Sequence, residues 1–289
     1  KRQFDRHNID LTAVYEMQNR QTVNASMSGK DQESPAYLWY NMGRLTDSKS
    51  LSSGFVRSQM VSVVGRVQYS YDDRYIVTAS FREDGASQLS PGHKWAFFPS
   101  GAIAWRISEE PFLKDVEWIS NLKLRASYGA LGNSNVDPYT YLETFGLSTF
   151  GTGSGDAARY LFGQAKLRYT SLPGQIPDNI GWETSKTFDV GLDAGFLNGR
   201  LNLTADYYVR KTVDMYTVGP TLPDTFGATA PKGNYADMST YGYEISLSYN
   251  DSFRLAGKPF NFGIKTTLAD YYSVIDRYNN ASRKLSDYY

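Results

Sequence analysis

The stretch Val61–Tyr71, VSVVGRVQYSY, decides the fold class of this chain. Its apolar or small residues fall on alternate positions: Val61, Val63, Gly65, Val67, Tyr69 and Tyr71. Polar residues take most of the remaining positions: Ser62, Arg66, Gln68 and Ser70, with Val64 as the exception. A period of two places these two sets on opposite faces of a β-strand.

The same alternation recurs along the chain and predicts about ten antiparallel strands in an all-β fold. The other predicted strands are Ile9–Gln18, Thr22–Ser28, Tyr75–Arg82, Ser100–Ile107, Leu122–Tyr128, Thr187–Phe196, Leu201–Arg210, Tyr243–Tyr249 and Phe260–Leu268. Thr22–Ser28 has the weakest pattern, and Thr266 and Asp270 interrupt the apolar face of the last strand.

Two folds fit such strands: a soluble β-sandwich with its apolar faces inside, and a transmembrane β-barrel with its apolar face in lipid. The apolar faces carry large aromatics near strand ends: Tyr69, Tyr71, Tyr75, Trp105, Tyr128, Tyr207, Tyr241 and Tyr249. Tyr and Trp favour the membrane–water boundary. The runs also have about the length that a tilted transmembrane strand needs, whereas globular strands are shorter. The pattern therefore favours an outer-membrane β-barrel.

Composition is consistent with this reading and excludes little else. The 289 residues include 23 Tyr and no Cys, and the formal net charge is zero. A neutral chain has no electrostatic footprint for nucleic acid, so no nucleic-acid partner is expected. No apolar run approaches the length of a transmembrane helix, which a strand-spanning protein does not need.

The predicted connections alternate between short and long. Tight or medium links are predicted at Asn19-Arg20, Asp72-Asp73, Ser108–Trp118, Asn198-Gly199 and Asn250–Lys258. Asn198-Gly199 is a strong signal for a type I′ hairpin turn, in which both central residues have positive φ. Long links are predicted at Gly29–Val56, Gly85–Ala96, Ala130–Trp182 and Thr212–Ser239. Outer-membrane barrels have short periplasmic turns and long extracellular loops, so the long set is expected outside the cell.

With this alternation, both ends of the chain are expected on the extracellular side. A complete single-chain barrel is expected to have periplasmic termini, so we interpret residues 1–289 as part of one larger barrel domain. The alternative is a complete ten-stranded barrel in which one strand is misassigned, with Thr22–Ser28 the place for that error.

Several segments together resemble the SusC/RagA family of TonB-dependent outer-membrane transporters. They span about residues 60–250 and are specific as a set rather than singly. The segments are Tyr71–Tyr75 (YDDRY), Thr78–Gly85 (TASFREDG), Trp95–Glu110 (WAFFPSGAIAWRISEE), Pro111–Leu113 (PFL), Asn121–Gly132 (NLKLRASYGALG), Trp182–Thr184 (WET), Asp189–Leu197 (DVGLDAGFL), Arg200–Thr212 (RLNLTADYYVRKT) and Tyr241–Ser248 (YGYEISLS).

The resemblance implies a 22-stranded barrel with an N-terminal plug, of which this chain has neither the plug nor convincing closing strands. It also implies a SusD-like surface lipoprotein as lid, TonB as the energy-coupling partner through the plug region, and oligosaccharides or peptides as substrates. Outer-membrane lipid would surround the barrel, and no cofactor is implied.

Groups able to carry covalent chemistry are scarce. The two histidines, His7 and His93, lie apart and are expected to be solvated. The pairs Asp72-Asp73 and Glu109-Glu110 are adjacent on an extended chain, so their carboxylates point apart. Gly151–Gly155 lacks the Lys-Ser/Thr of a phosphate-binding loop. We therefore expect no catalytic or metal-binding residue.

Transport residues would instead line the lumen or the outer loops. Charges predicted to face inward are Arg66, Arg82, Arg106, Lys123, Arg125, Asp189, Asp193, Asp206, Arg210, Glu244 and Lys265. They are too many for a dry core and would mainly pair with a plug. Aromatics of the long loops are candidates for stacking on a sugar or a peptide side chain: Trp39, Tyr40, Tyr139, Tyr141, Phe150 and Tyr160. The more ordinary interpretation of each is that it packs the loops together or contacts the lid.

The function expected from this sequence is TonB-dependent import without chemistry on the substrate. Two alternatives remain at this point: a complete small outer-membrane barrel that acts as a hydrolase, and a soluble β-sandwich that binds a ligand.

Overall fold

The computed structural model describes residues 2–32, 45–149, 168–170, 175–177, 180–219, 223, 225, 230–255 and 257–278. These residues form twelve strands and one turn of 3-10 helix at Ile107–Glu109. The strands are β1 Arg2–Phe4, β2 His7–Gln32, β3 Leu45–Tyr71, β4 Tyr75–Ala86, β5 Trp95–Arg106, β6 Ile119–Asn133, β7 Leu147–Thr149, β8 Arg168–Thr170, β9 Glu183–Phe196, β10 Leu201–Val218, β11 Lys232–Leu255 and β12 Lys258–Tyr278.

Ten of these strands form one antiparallel sheet in which strands pair in chain order, with β6 next to β9. The order is β1-β2-β3-β4-β5-β6-β9-β10-β11-β12, and the short hairpin β7-β8 lies apart between β6 and β9 in sequence. Within the described residues no helix is long and apolar enough to cross a membrane. The prediction of an all-β antiparallel meander is confirmed.

The burial of the two sheet faces is inverted relative to a soluble protein. Along β4, the apolar face that includes Tyr75, Val77 and Phe81 is exposed, whereas the alternate positions are half-buried or buried. The same alternation runs along β5, where Ile103 is 59% exposed. A sheet that crowds its polar side chains and exposes its apolar ones is curved with the polar face inside, as in a membrane barrel. The soluble β-sandwich, which would bury the apolar faces between two sheets, is therefore wrong.

The first two predicted strands are one strand. Asn19 and Arg20 do not turn; they continue β2 and pair in register with Gln59 and Ser58 of β3. The polar run from Gln18 to Gln21 resembled a turn because it interrupts the apolar face. At ~3.4 Å per residue, the 26 residues of β2 extend ~88 Å, well beyond what spans a bilayer. Where both faces meet water, a strand no longer needs alternating hydrophobicity.

Strand ends that meet water on both faces also make several predicted links longer than the links in the structure. The link predicted at Gly29–Val56 contains the end of β2 and much of β3. The links predicted at Thr212–Ser239 and Asn250–Lys258 are likewise shortened by the extensions of β10 and β11. Link Ala130–Trp182 loses its first residues to β6 and contains the β7-β8 hairpin. In each case the polar end of a strand has the composition of a loop.

The connections define two ends of the sheet. The short-turn end joins β1 to β2, β3 to β4, β5 to β6, β9 to β10 and β11 to β12; the long-loop end carries the other connections. Asn198 and Gly199 both have positive φ, as predicted for this turn, and so do Asp72 and Asp73. Arg2 pairs with Ile9 at the short-turn end, so the expectation that both chain ends lie beside the long loops is wrong for the N-terminal side. The cause is the strand misassigned at Asn19-Arg20.

A carboxylate anchors the outward aromatics at the short-turn end. Buried Glu110 accepts hydrogen bonds from the Tyr75 hydroxyl at 2.6 Å, Trp105 Nε1 at 3.0 Å and Arg74 at 3.3 Å. These donors, led by Tyr75, hold the pKa of Glu110 below its ordinary value. Arg74 also donates to Asp72 in the preceding turn and lowers the pKa of that carboxyl. The polar tips of Tyr75 and Trp105 are thus held at the level where the membrane meets water.

Candidate functional site

The inward face of β6, β9, β10 and β11 carries a cross-strand network of charges. Arg125 is opposite Gly191 on β9, which is opposite Asp206 on β10, which is opposite Glu244 on β11. One step towards the short-turn end, Lys123 is opposite Asp193. Alternation with a period of two therefore brings these side chains to one surface.

Arg125 is the centre of this network. It donates two hydrogen bonds to Asp193, at 2.9 and 3.1 Å, and one to Asp206 at 2.8 Å. Lys123 Nζ lies 3.9 Å from Asp193. Forked hydrogen bonds between a guanidinium and carboxylates are among the stronger polar contacts in proteins. The three side chains are only a fifth to a third exposed, which limits screening by water.

Gly191 makes the reach of Arg125 possible. A Cβ built at residue 191 would lie 2.6 Å from Arg125 Nη2 and would also collide with the carboxylate of Asp206. The guanidinium therefore crosses β9 through the space left by a missing side chain. Glycine within a strand often marks such a close approach.

A second inward network surrounds Arg82. Its guanidinium donates to Asp84 at 2.7 and 2.8 Å and to the Ser62 hydroxyl at 2.9 Å, and it lies 3.6 Å from Glu16. These partners come from β2, β3 and β4, so the contact ties three adjacent strands together.

The remaining predicted inward charges have weaker partners. Arg66 donates to Gln68, Arg106 lies 3.4 Å from Glu109, and Arg210 lies over the ring of Tyr208. In the described part of the chain, no ion pair involves Asp189, Glu244 or Lys265.

The long-loop end has a small apolar core. Leu89 and Ile180 are fully buried and pack with Ala86 and Val136. Ser90 forms two hydrogen bonds with Ile180 in this core. Its backbone N–H donates to the carbonyl of Ile180, and its hydroxyl accepts the N–H of Ile180, each at 3.1 Å. The connection between β4 and β5 is thereby bound to the segment that enters β9.

Two of the six aromatic candidates fall within the described residues. Tyr139 is 42% exposed, has a φ of 70°, and accepts the backbone N–H of Arg57 on its hydroxyl at 3.3 Å. Tyr141 packs against the loop core, with Lys94 Nζ 5.6 Å from its ring centre. Tyr141 therefore contributes to the packing of the loops at this end. Candidates Trp39, Tyr40, Phe150 and Tyr160 lie outside the described residues.

An open cavity of about 420 Å³ lies at the long-loop end. Trp95, 58% exposed, and Trp182 supply flat apolar surface. Polar groups come from His93, in the connection before β5, and from strands β9, β10 and β11. The lining residues are Gly92, His93, Trp95, Ala96, Gly181, Trp182, Thr184, Asp214 and Asn234. Asn234 accepts the N–H of Gly181 at 3.0 Å and donates to Asp214 O at 2.6 Å. Sequence reasoning missed this cavity because its walls come from four separate segments of the chain.

Groups for covalent chemistry remain scarce across the described ranges. No set of three or more His, Cys, Asp or Glu side chains there could hold a metal ion. The His7 ring forms a 2.7 Å hydrogen bond with the hydroxyl of Tyr69 and packs beside Tyr71, so it has aromatic neighbours rather than water alone. His93 is exposed in the connection between β4 and β5.

Comparison with known proteins gives a consistent result. The family model described as TonB dependent receptor-like, beta-barrel matches residues 2–287. TonB-dependent receptor P3 of Formosa agariphila is 36% identical over 245 residues, which are 85% of this chain and 23% of the relative. TonB-dependent receptor SusC of Bacteroides thetaiotaomicron is 38% identical over 194 residues, 66% of this chain and 18% of the relative.

A solved structure of the RagAB peptide transporter has the same fold. It superposes with a TM-score of 0.78 at 22% identity, covering 95% of this chain and 29% of that chain. The chain therefore spans less than a third of the length of each of these proteins.

Proposed function

Because this chain belongs to the TonB-dependent receptor-like β-barrel family of the outer membrane, we propose that it forms part of the wall of a TonB-powered importer. The observation that carries this proposal is the inverted sheet, whose outward face is apolar and whose inward face holds charged networks. The sequence motifs that resemble the SusC/RagA family agree with the 38% identity to SusC.

In this proposal the long-loop end is extracellular and the short-turn end is periplasmic. Outer-membrane barrels keep their turns short on the periplasmic side and their loops long outside. The loop core around Leu89 and Ile180 and the cavity beside Trp95 and Trp182 would then face the medium. A substrate would reach these surfaces first.

The inward charges are proposed to hold a plug supplied by the remainder of the polypeptide, within a barrel of about 22 strands. Asp189, Glu244 and Lys265 are the first candidates, because they lack ion-pair partners in the described residues. The Arg125 and Arg82 networks are already satisfied by the wall itself. They would keep the wall rigid while TonB rearranges the plug.

A SusD-like surface lipoprotein is the proposed lid, and an oligosaccharide or a peptide is the proposed substrate. The cavity at the long-loop end combines two indole rings with hydroxyl, amide, imidazole and carboxylate groups. Flat aromatic surface beside such groups suits a sugar ring and also a peptide. Tyr139, which is exposed at the same end, is a further contact candidate. No covalent step on the substrate is proposed.

Uptake by cells tests this function. The full-length protein is expressed with a SusD-like lipoprotein, and labelled oligosaccharides and peptides are supplied with and without TonB. Accumulation of one class that disappears without TonB is expected. Uptake that persists without TonB would indicate a passive pore instead of an importer. Conversion of the substrate by purified protein without an energy source would indicate a hydrolase.

A further inference from the structure

The outward face has a defined groove across four strands near the short-turn end. It encloses about 270 Å³ and is bounded by two rows of side chains. The lower row is Tyr75, Trp105 and Leu124. The upper row is Val77, Ile103, Ala126 and Val190. Members of each row are direct cross-strand neighbours, so the groove runs across β4, β5, β6 and β9.

The floor of the groove is the row of residues between these two. Ile76, Ala104 and Arg125 line it, and because their side chains point to the inward face they contribute backbone. Three spacings of ~4.8 Å between four strands give a length of ~14 Å. The side chain of Ala126 is shorter than those of Ile103 and Val190 beside it, so the groove stays open at this position.

The groove has no polar group to offer a ligand. The hydroxyl of Tyr75 and the indole N–H of Trp105 are both bonded to Glu110 at the rim. The guanidinium of Arg125 is held on the other face by Asp193 and Asp206. A sugar or a peptide bound here would lose its hydrogen bonds to water without replacement. The occupant must therefore be hydrocarbon.

We propose that this groove binds one acyl chain of a phospholipid from the leaflet at the short-turn end. Tyr75 and Trp105 mark the membrane boundary there, so a chain in that leaflet reaches the groove just below its headgroup. Contacts in a membrane are selected by packing rather than by the hydrophobic effect, and a preformed groove offers an acyl chain more close contacts than a smooth wall does. The choice of leaflet rests on the membrane orientation in the proposed function.

Filling the groove tests the inference. Full-length Ala126→Leu protein is compared with Ala205→Leu, which makes the same change on the outward face of β10, one strand beyond the last groove residue, Val190. Palmitoyl-oleoyl phosphatidylethanolamine is titrated into each purified protein, and bound lipid is counted by native mass spectrometry. The carbons added by Ala126→Leu take the space of about two methylenes of the acyl chain and remove roughly ten close contacts, so the first lipid should bind about tenfold more weakly. Ala205→Leu should match the wild type.

Equal lipid binding by the two variants would overturn the proposal. So would loss of a protein dimer, rather than of lipid, in Ala126→Leu, because a second copy would then be the occupant. If Ala126→Leu does not fold, Leu124→Ala provides a second test. It removes one wall of the groove and should also weaken binding of the first lipid molecule. Leu247→Ala is its control, since Leu124 and Leu247 are 42% and 45% exposed. Lipid counts require neither TonB nor substrate, so this inference and the proposed import fail separately.

Discussion

Replacement of Arg125 by methionine removes the centre of the inward charge network while keeping much of the side chain's length. Asp206 then loses its only ion-pair partner in the described residues, and Asp193 retains only Lys123 at 3.9 Å. Breaking a fully buried ion pair costs about 3–5 kcal/mol, whereas exposed pairs contribute about 0–1 kcal/mol. Side chains that are 21–30% exposed fall between these limits. We expect Arg125→Met to lower the free energy of unfolding by about 2 kcal/mol.

The assay is urea unfolding of the full-length protein in detergent, followed by tryptophan fluorescence. A shift of the midpoint at constant slope reports stability alone. Arg200→Met is the control, because Arg200 is 55% exposed and its contact with Asp251 measures 3.4 Å; its expected cost is below about 1 kcal/mol. In a double-mutant cycle, Asp193→Asn should reduce the cost of Arg125→Met. Equal effects of Arg125→Met and Arg200→Met, with no coupling to Asp193, would refute the reasoning.

Three further predictions follow from the geometry. Gly191→Ala places a Cβ 2.6 Å from Arg125 Nη2, so it should lower the unfolding midpoint about as much as Arg125→Met and add little to that variant. The pKa of Glu110 is lowered in the folded protein. Ionised Glu110 therefore stabilises the fold fully above the pKa that this carboxyl has in the unfolded chain, and the stabilisation is lost as pH falls through its folded pKa. The difference in unfolding midpoint between wild type and Glu110→Gln should vanish in acid. Leu89→Ala opens a space in the loop core and should weaken its local stability by about 2–4 kcal/mol, seen as faster amide exchange at Ile180, whereas unchanged exchange would contradict this packing.

The faces of the membrane-spanning strands were predictable because lipid imposes a strict period of two. Val61–Tyr71 has this alternation, and its neighbours on β4 pair with it in continuous register. The turns at Asp72-Asp73 and Asn198-Gly199 were predictable because positive φ restricts the residues that can occupy them. Both are local signals that one segment carries by itself.

Strand length was not predictable from hydrophobicity. Residues such as Asn24 and Ser26 continue β2 opposite Gly54 and Ser52 of β3, where both faces are exposed. Water on both sides removes the pattern that identifies a strand. Backbone hydrogen bonds to a neighbouring strand maintain it instead, and these leave no mark in the sequence.

The sequence predicted which charged residues face inward, but not which of them contact one another. The sequence indicated that Arg125, Asp193 and Asp206 face inward, but their contact depends on the register of three strands up to 81 positions apart. The cavity beside Trp95 and Trp182 likewise needs segments joined by tertiary packing. The outward groove depends on which small side chain, Ala126, is opposite Ile103.

The orientation of this wall in the membrane is the central claim, and single-cysteine labelling in intact cells tests it most directly. Residues 1–289 contain no cysteine, and any cysteine elsewhere in the full-length protein is first replaced by serine. His93→Cys at the long-loop end and Glu117→Cys at the short-turn end then each supply one exposed thiol. A membrane-impermeant maleimide should label His93→Cys at once and Glu117→Cys only after the outer membrane is opened. Labelling of Glu117→Cys in intact cells, with His93→Cys protected, would invert the orientation and contradict the account.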